Sequence, residues 1–246
     1  MTKSAITSRI RAMAEEIEPY VIEKRRYFHA HPELSMHEVK TSDALAAALD
    51  EIGVSYVRPY ETGLIVTIKG EAPNAYDENG KPHHCIALRS DIDALPVNEL
   101  TKVEYASQNE GVMHACGHDC HMAMMLGAIR ILHAYRSELQ GEVRVIFQPA
   151  EEISIGSRKM IKAGALDGVE TIYGAHIWSE VPAGKISADV GPRMANTDWF
   201  RVDISGASAH GAMPHKGVDA IVVGASMSEA LQAVVSRDVS PFEPVV

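Results

Sequence analysis

Residues 113–121, MHACGHDCH, decide how this 246-residue chain is read. They hold Cys116 and Cys120, His114, His118 and His121, and Asp119. Thiolate and imidazole suit borderline-soft divalent ions such as zinc. Cys116 and His118 stand two positions apart, which in an extended or tightly turned backbone aims both side chains the same way. Gly117 between them permits a turn that a side chain would obstruct. Such a pair alone is not a site: two ligands do not make a coordination shell, and a chain with 12 histidines produces Cys-x-His pairs by chance. Its meaning depends on what the rest of the chain brings to it.

Immediately downstream, residues 119–133 form a helix apolar around most of its circumference, hence buried. The metal-type pair therefore sits at a helix N-terminus, where a thiolate is favoured. His121 and His133 ride on that helix and read as packing or capping residues. Residues 143–147, VRVIF, are a continuous apolar strand of the buried type, and it runs into Gln148-Pro149-Ala150-Glu151-Glu152. Adjacent side chains on an extended chain diverge, so one carboxylate can hold a metal while its neighbour faces a substrate. A solvated acidic loop is the plainer alternative. Residues 171–177, TIYGAHI, predict another buried strand with His176 near its end, a position that in isolation suits a core histidine. Together, Cys116, His118, Glu152 and His176 all fall at strand ends or strand-to-helix turns, a convergent set of S, N and O ligands. Upstream, Arg89-Ser90-Asp91-Ile92-Asp93 follows the strand 85–88, in the crevice where open α/β sheets bind ligands. Asp93 there either orients a histidine ligand from behind or closes a turn with Pro96.

The remaining pattern supplies the frame. Residues 4–30 are helical, with Pro19 expected to kink or divide the helix. His29, His31 and His37, near its end, read as structural or surface groups. A second helix covers 38–51, with Gly53 as its C-cap residue. Short strands follow at 54–57, 64–68 and 85–88, and the polar stretch 72–84 reads as a hairpin connection. Cys85 is a buried, inert thiol. After a helix at 156–163, a short strand is expected at 181–188. The composition shifts at Asp189 through GPRMANTD, a turn-rich linker. A half-buried strand at 199–204, a loop carrying His210 and His215, and a long amphipathic helix at 217–235 then open a second domain. The boundaries are 1–188 and 189–246.

Composition limits the partners. A net charge of −10, from 23 basic and 33 acidic residues, argues against nucleic acid or an anionic membrane, both of which need a basic face. The N-terminus lacks the apolar core of a secretory signal, and no apolar run approaches the roughly 18 residues of a membrane span. Three cysteines, an odd count at no framework spacing, point to a reducing compartment, by default the cytoplasm. A thiol-redox protein built on Cys116 and Cys120 is a weak reading, since Cys-x-x-x-Cys is not the usual redox spacing.

With these residues assembled, the sequence resembles the M20 metallopeptidases, in particular their N-acyl-amino-acid amidohydrolase branch, which includes hippurate and auxin-conjugate hydrolases. The resemblance is carried by RRYFHAHPELSMHE, LRSDIDALPV, the stretch around Cys116, FQPAEE, GAHIW and SGASAHGAMPHKGVDAI, in order along nearly the whole chain. Cys120 departs from it, standing where the family commonly has glycine. The resemblance implies an α/β fold: a mixed-sheet, zinc-peptidase-like catalytic domain followed by the first part of a smaller α+β lid and dimerisation domain. It implies Cys116, His118, Glu152 and His176 as ligands of two divalent ions (Zn, Mn, Co or Ni), Glu151 as general base and acid, and His210 as a substrate-binding residue that reaches a partner subunit's site. The implied reaction is metal-dependent hydrolysis of the amide bond of small N-acyl amino acids, by a homodimer joined through the lid. The family has a fifth ligand, a histidine beyond where this chain stops. A truncated enzyme is therefore expected, with a catalytically inactive fragment that binds metal or pairs with a full-length homologue as the alternative.

Overall fold

A five-stranded mixed sheet organises the first of the two units into which the chain divides, Met1–Glu180; the second is Val181–Val246. The computed structural model describes residues 3–191, 194, 198, 200–240 and 242. The strands are β1 (Tyr56–Tyr60), β2 (Gly63–Lys69), β3 (Cys85–Asp91), β4 (Glu142–Gln148) and β5 (Thr171–Gly174), in the order β1-β2-β4-β3-β5. β2 pairs antiparallel with β1 and β4, whereas β3 pairs parallel with β4 and β5.

Both faces of the sheet's middle are covered, which explains why its strands read as apolar runs. Leu64, Val66 and Ile68 of β2 and Val143, Val145 and Phe147 of β4 pack in one cluster. They meet Phe28 of α1 (Lys3–Ala30), Leu45 and Leu49 of α2 (Val39–Ile52) and Met122, Leu126 and Ile129 of α3 (His118–Ala134). The alternate residues Ile65 and Ile146 pack in a second cluster with Met160 of α4 (Gly156–Lys162) and Ala165. Fully burying side chains of this size contributes about 1.5–3 kcal/mol each.

Several local expectations change. α1 runs unbroken through Pro19. A proline removes one helical hydrogen bond, and here α3 supports the helix beside it: a Cβ on Gly127 would meet Val21 Cγ2 at 2.8 Å and Ile17 Cδ1 at 3.5 Å. The 72–84 stretch is no hairpin connection, because β4 lies between β2 and β3. Asp77 closes a small local turn in it, accepting from the amides of Asn79 and Lys81. β1 extends to Tyr60 through Pro59, as an edge strand tolerates. β5 is short and exposed rather than buried: it is an edge strand, and an apolar sequence signals a preference for cover without supplying it.

In the second unit, 181–188 and the described residues 200–204 form no strand. A strand exists through its ladder, and the pairing found among the described residues is one bridge between Ala207 and Val218. Trp199, the start of the expected strand, and Pro244, Val245 and Val246 lie outside the described residues. Helix α5 (Ala220–Ala233) starts three residues later than expected because Asp219 caps it, accepting from the amides of Ile221 and Val222. None of its residues is buried. Among the described residues no helix is long and apolar enough to cross a membrane.

Candidate metal centre

Gly117 makes the turn that joins Cys116 to His118. Its φ is +87°, in the left-handed region, and a Cβ there would lie 3.2 Å from Ile177 Cβ. α3 begins at the next residue, so His118 leaves the helix N-terminus into the interior, where it is fully buried. Its Nδ1 lies 2.8 Å from the carbonyl oxygen of Asp93. A carbonyl only accepts, so Nδ1 carries a proton, and in the neutral ring Nε2 presents a lone pair. That Nε2 has no hydrogen-bond partner; Asp91 Oδ2 lies 3.5 Å away, Glu152 Oε1 3.8 Å and Glu151 Oε2 3.9 Å. His176 follows the same logic. Its Nδ1 donates to the Ile177 carbonyl at 2.6 Å, and its Nε2 faces Cys116 Sγ at 3.5 Å.

The carboxylate pair is delivered by a constrained loop. Ala150 has a φ of +50° and Ser154 of +57°, both left-handed without being glycine. Glu38, fully buried, holds this loop by accepting from the Ala150 amide and the Thr62 hydroxyl, each at 2.8 Å. Gly156 is required where the chain turns back, since a Cβ there would fall 1.5 Å from the Pro149 carbonyl oxygen. The Glu152 amide donates to Asp93 Oδ2 at 3.0 Å, and Ser35 donates to the same oxygen at 2.6 Å. Glu152 Oε1 is buried without a hydrogen-bond partner.

Ligand-type atoms thus gather in overlapping groups that share His118: one with Cys116 and His176, another with Glu151 and Glu152, each within 4.8 Å. Burial opposes charge on His118, but the neighbouring Asp93, Cys116 and Asp91 side chains outweigh it and lift the imidazole to about 11, so without a cation in the pocket Nε2 takes up a proton as well. Such a pocket strongly favours positive charge. Two sealed, unpartnered ligand atoms of opposite type, in a set of S, N and O donors, fit a divalent cation better than any other occupant. Glu151 sits at the rim, and burial together with the charge of Glu152 raises its carboxyl above the ordinary value.

A third grouping, Asp91 with His118 and His121, is not equivalent. His121 Nδ1 lies 2.6 Å from Asp91 Oδ1, and its Nε2 accepts from the Ile177 amide at 2.9 Å. Both ring nitrogens are committed, so His121 has no lone pair for a metal. His29 is likewise structural, bonded to Asp119 at 2.8 Å.

Five of the six expected site residues, Cys116, His118, Glu151, Glu152 and His176, come together in the first unit. His210 belongs to the second, in an exposed loop where its Nδ1 accepts from the Ala212 amide. Sequence reading placed Asp91 in the ligand crevice without giving it a role, and read His121 as packing or capping without its bonds to Asp91 and the Ile177 amide. The available signal was the spacing of His118 and His121, three apart and so on one helical face.

Comparison with known proteins gives the family. The model of the family described as "Peptidase family M20/M25/M40" matches residues 87–243, and the chain belongs to that family. It is 43% identical, over 96% of its length, to an N-acyl-L-amino acid amidohydrolase of Geobacillus stearothermophilus, and spans 62% of that relative. A solved putative aminohydrolase from methicillin-resistant Staphylococcus aureus matches 97% of this chain at 38% identity, with a TM-score of 0.78 and 61% of its own length covered. The YXEP protein of Bacillus subtilis, described as a dinuclear metal-binding M20 peptidase, matches 74% of this chain at 41% identity and a TM-score of 0.65, with 48% of its length covered. The mixed α/β fold is that of these structures.

Proposed function

We propose that the chain carries the hydrolytic centre of a metal-dependent amidohydrolase that cleaves the amide bond of small N-acyl amino acids. The observation that supports this most is the sealed pair His118 Nε2 and Glu152 Oε1, 3.8 Å apart and unpartnered, beside a Glu151 of raised pKa. The name of the Geobacillus stearothermophilus relative supports the substrate class, and the description of the YXEP protein supports two ions.

Cys116, His118, Glu152 and His176 are the assigned ligands. Divalent ions held by them would supply Lewis acidity toward a carbonyl and a lower pKa for water. Glu151, at the rim, accepts a proton from the attacking water and returns it to the departing nitrogen. Its raised pKa suits both halves of that task. Asp93 fixes the His118 tautomer and, through the Glu152 amide, the carboxylate beside it. His210 is assigned to the substrate carbonyl in a partner subunit's site, where it would stabilise the developing oxyanion. The products are a carboxylic acid and a free amino acid. Free thiols at Cys116 and Cys120 suit a reducing compartment such as the cytoplasm. The second unit, with its exposed apolar helix α5, is assigned to a homodimer contact; a monomer in sedimentation equilibrium sets that assignment aside.

The test of the reaction is metal content and hydrolysis of N-acetyl- and N-benzoyl-amino acids measured on one sample. We expect bound divalent metal and turnover, and a fall of about 10²–10⁴-fold in Glu151→Gln with metal retained. Turnover unchanged in that variant would overturn the role of Glu151.

A further inference from the structure

We infer that His121 is a positioning residue, tethering the chain segment that carries His176 to the sheet and the helix; the inference rests on the proposed metal-binding role of His176. β5 ends at Gly174, so His176 lies beyond the last ladder pairing, in a segment without strand bonds of its own. The hydrogen bond that ties this segment down beside His176 is the Ile177 amide donating to His121 Nε2 at 2.9 Å. His121 is itself held by Asp91, whose other oxygen accepts from Arg89 at 2.6 Å. The chain Arg89–Asp91–His121–Ile177 thus links β3, the first turn of α3 and the loop after β5. Asp91 and His121 are buried, at 0% and 3% exposure, so water does not compete for these bonds.

The geometry defines what His121 must be. Nε2 has to accept from an amide, so the proton belongs on Nδ1, facing Asp91. The His121 and His176 rings meet edge to face with centroids 4.7 Å apart, so the tether also limits how the His176 ring turns. Partners that hold a metal ligand in place typically change metal affinity by about 10–100-fold when lost.

Cobalt(II) titration of the whole chain, read by the absorption of the thiolate–cobalt bond and by calorimetry, tests this without an activity assay. His121→Leu is expected to weaken cobalt binding by about 10–100-fold, while His121→Gln, which keeps one donor and one acceptor, stays within a few-fold of the parent. Because His121 acts through His176, adding His121→Leu to His176→Ala should cause no further loss. A residue that merely packs would add its own effect in the double variant, overturning the inference. So would cobalt affinity of His121→Leu equal to that of the parent. If the parent chain itself binds no cobalt, the metal-binding reading fails first and takes this inference with it. Should His121→Leu fail to fold, ¹⁵N spectra of the zinc-loaded parent decide. A neutral His121 protonated on Nδ1 and unmoved by zinc supports the tether, and a zinc-induced shift typical of a ligand overturns it.

Discussion

At the scale of the residue, the centre depends on a few backbone conformations that most side chains resist. Gly117 is the sharpest case. Gly117→Ala places a Cβ in the left-handed region, at about 1–2 kcal/mol, and crowds Ile177 at 3.2 Å. Its expected outcome is a lower denaturation midpoint of about that size together with reduced metal content, since Cys116 and His118 flank the turn. His29 offers a pH test away from the ligands. Its hydrogen bond to Asp119 raises its pKa against the opposing effect of burial, Glu99 adds to the rise, and Arg25 opposes it. A histidine held above its unfolded value of about 6.5 contributes stability that is complete below that value and fades as pH rises through the folded pKa. The melting temperature of His29→Gln should therefore fall furthest below the parent's at mildly acidic pH and approach it in alkaline buffer. A gap independent of pH would show that packing alone is lost.

At the scale of the element, α1 and α3 meet through a glycine. Gly127→Val would force a methyl into Val21, whose own Cγ2 would lie 2.8 Å from the new Cβ. Overpacking of this kind costs about 1–3 kcal/mol, and thermal or urea unfolding should register it without loss of the ligand set. The same contact bears on why α1 is not divided at Pro19: local propensity describes an isolated helix, and α3 packs against this one. By contrast, α2 with its Gly53 cap, the buried pair β2 and β4, and the apolar α3 were all legible, because their periodicity reports burial that the fold supplies. The sequence at 171–177 is an apolar run and that at 200–204 alternates, but among the described residues neither stretch is buried. The cluster of proposed ligands was legible as residue types at strand ends. The Asp91–His121–Ile177 chain was not, because it joins three segments whose proximity only the sheet order creates.

At the scale of the whole molecule, the proposed ligands come from three stretches of chain that meet only at one end of the sheet: the turn before α3, the loop after β4, and the segment past β5. Between the second and third lie α4 and the exposed edge strand β5, which among the described residues pairs with β3 alone. An ion gripped by Glu152 on one side and His176 on the other would close that stretch into a ring, as a clasp closes a strap. Chelation would open the clasp and leave β5 to peel from β3 at low cost. Amide hydrogen exchange over Thr171–Gly174 should accordingly be fast in chelator and slow in the loaded protein, while β2 and β4 exchange alike in both. The ions would then serve two purposes, one chemical and one mechanical, and their supply would set how long the edge of the sheet survives a protease.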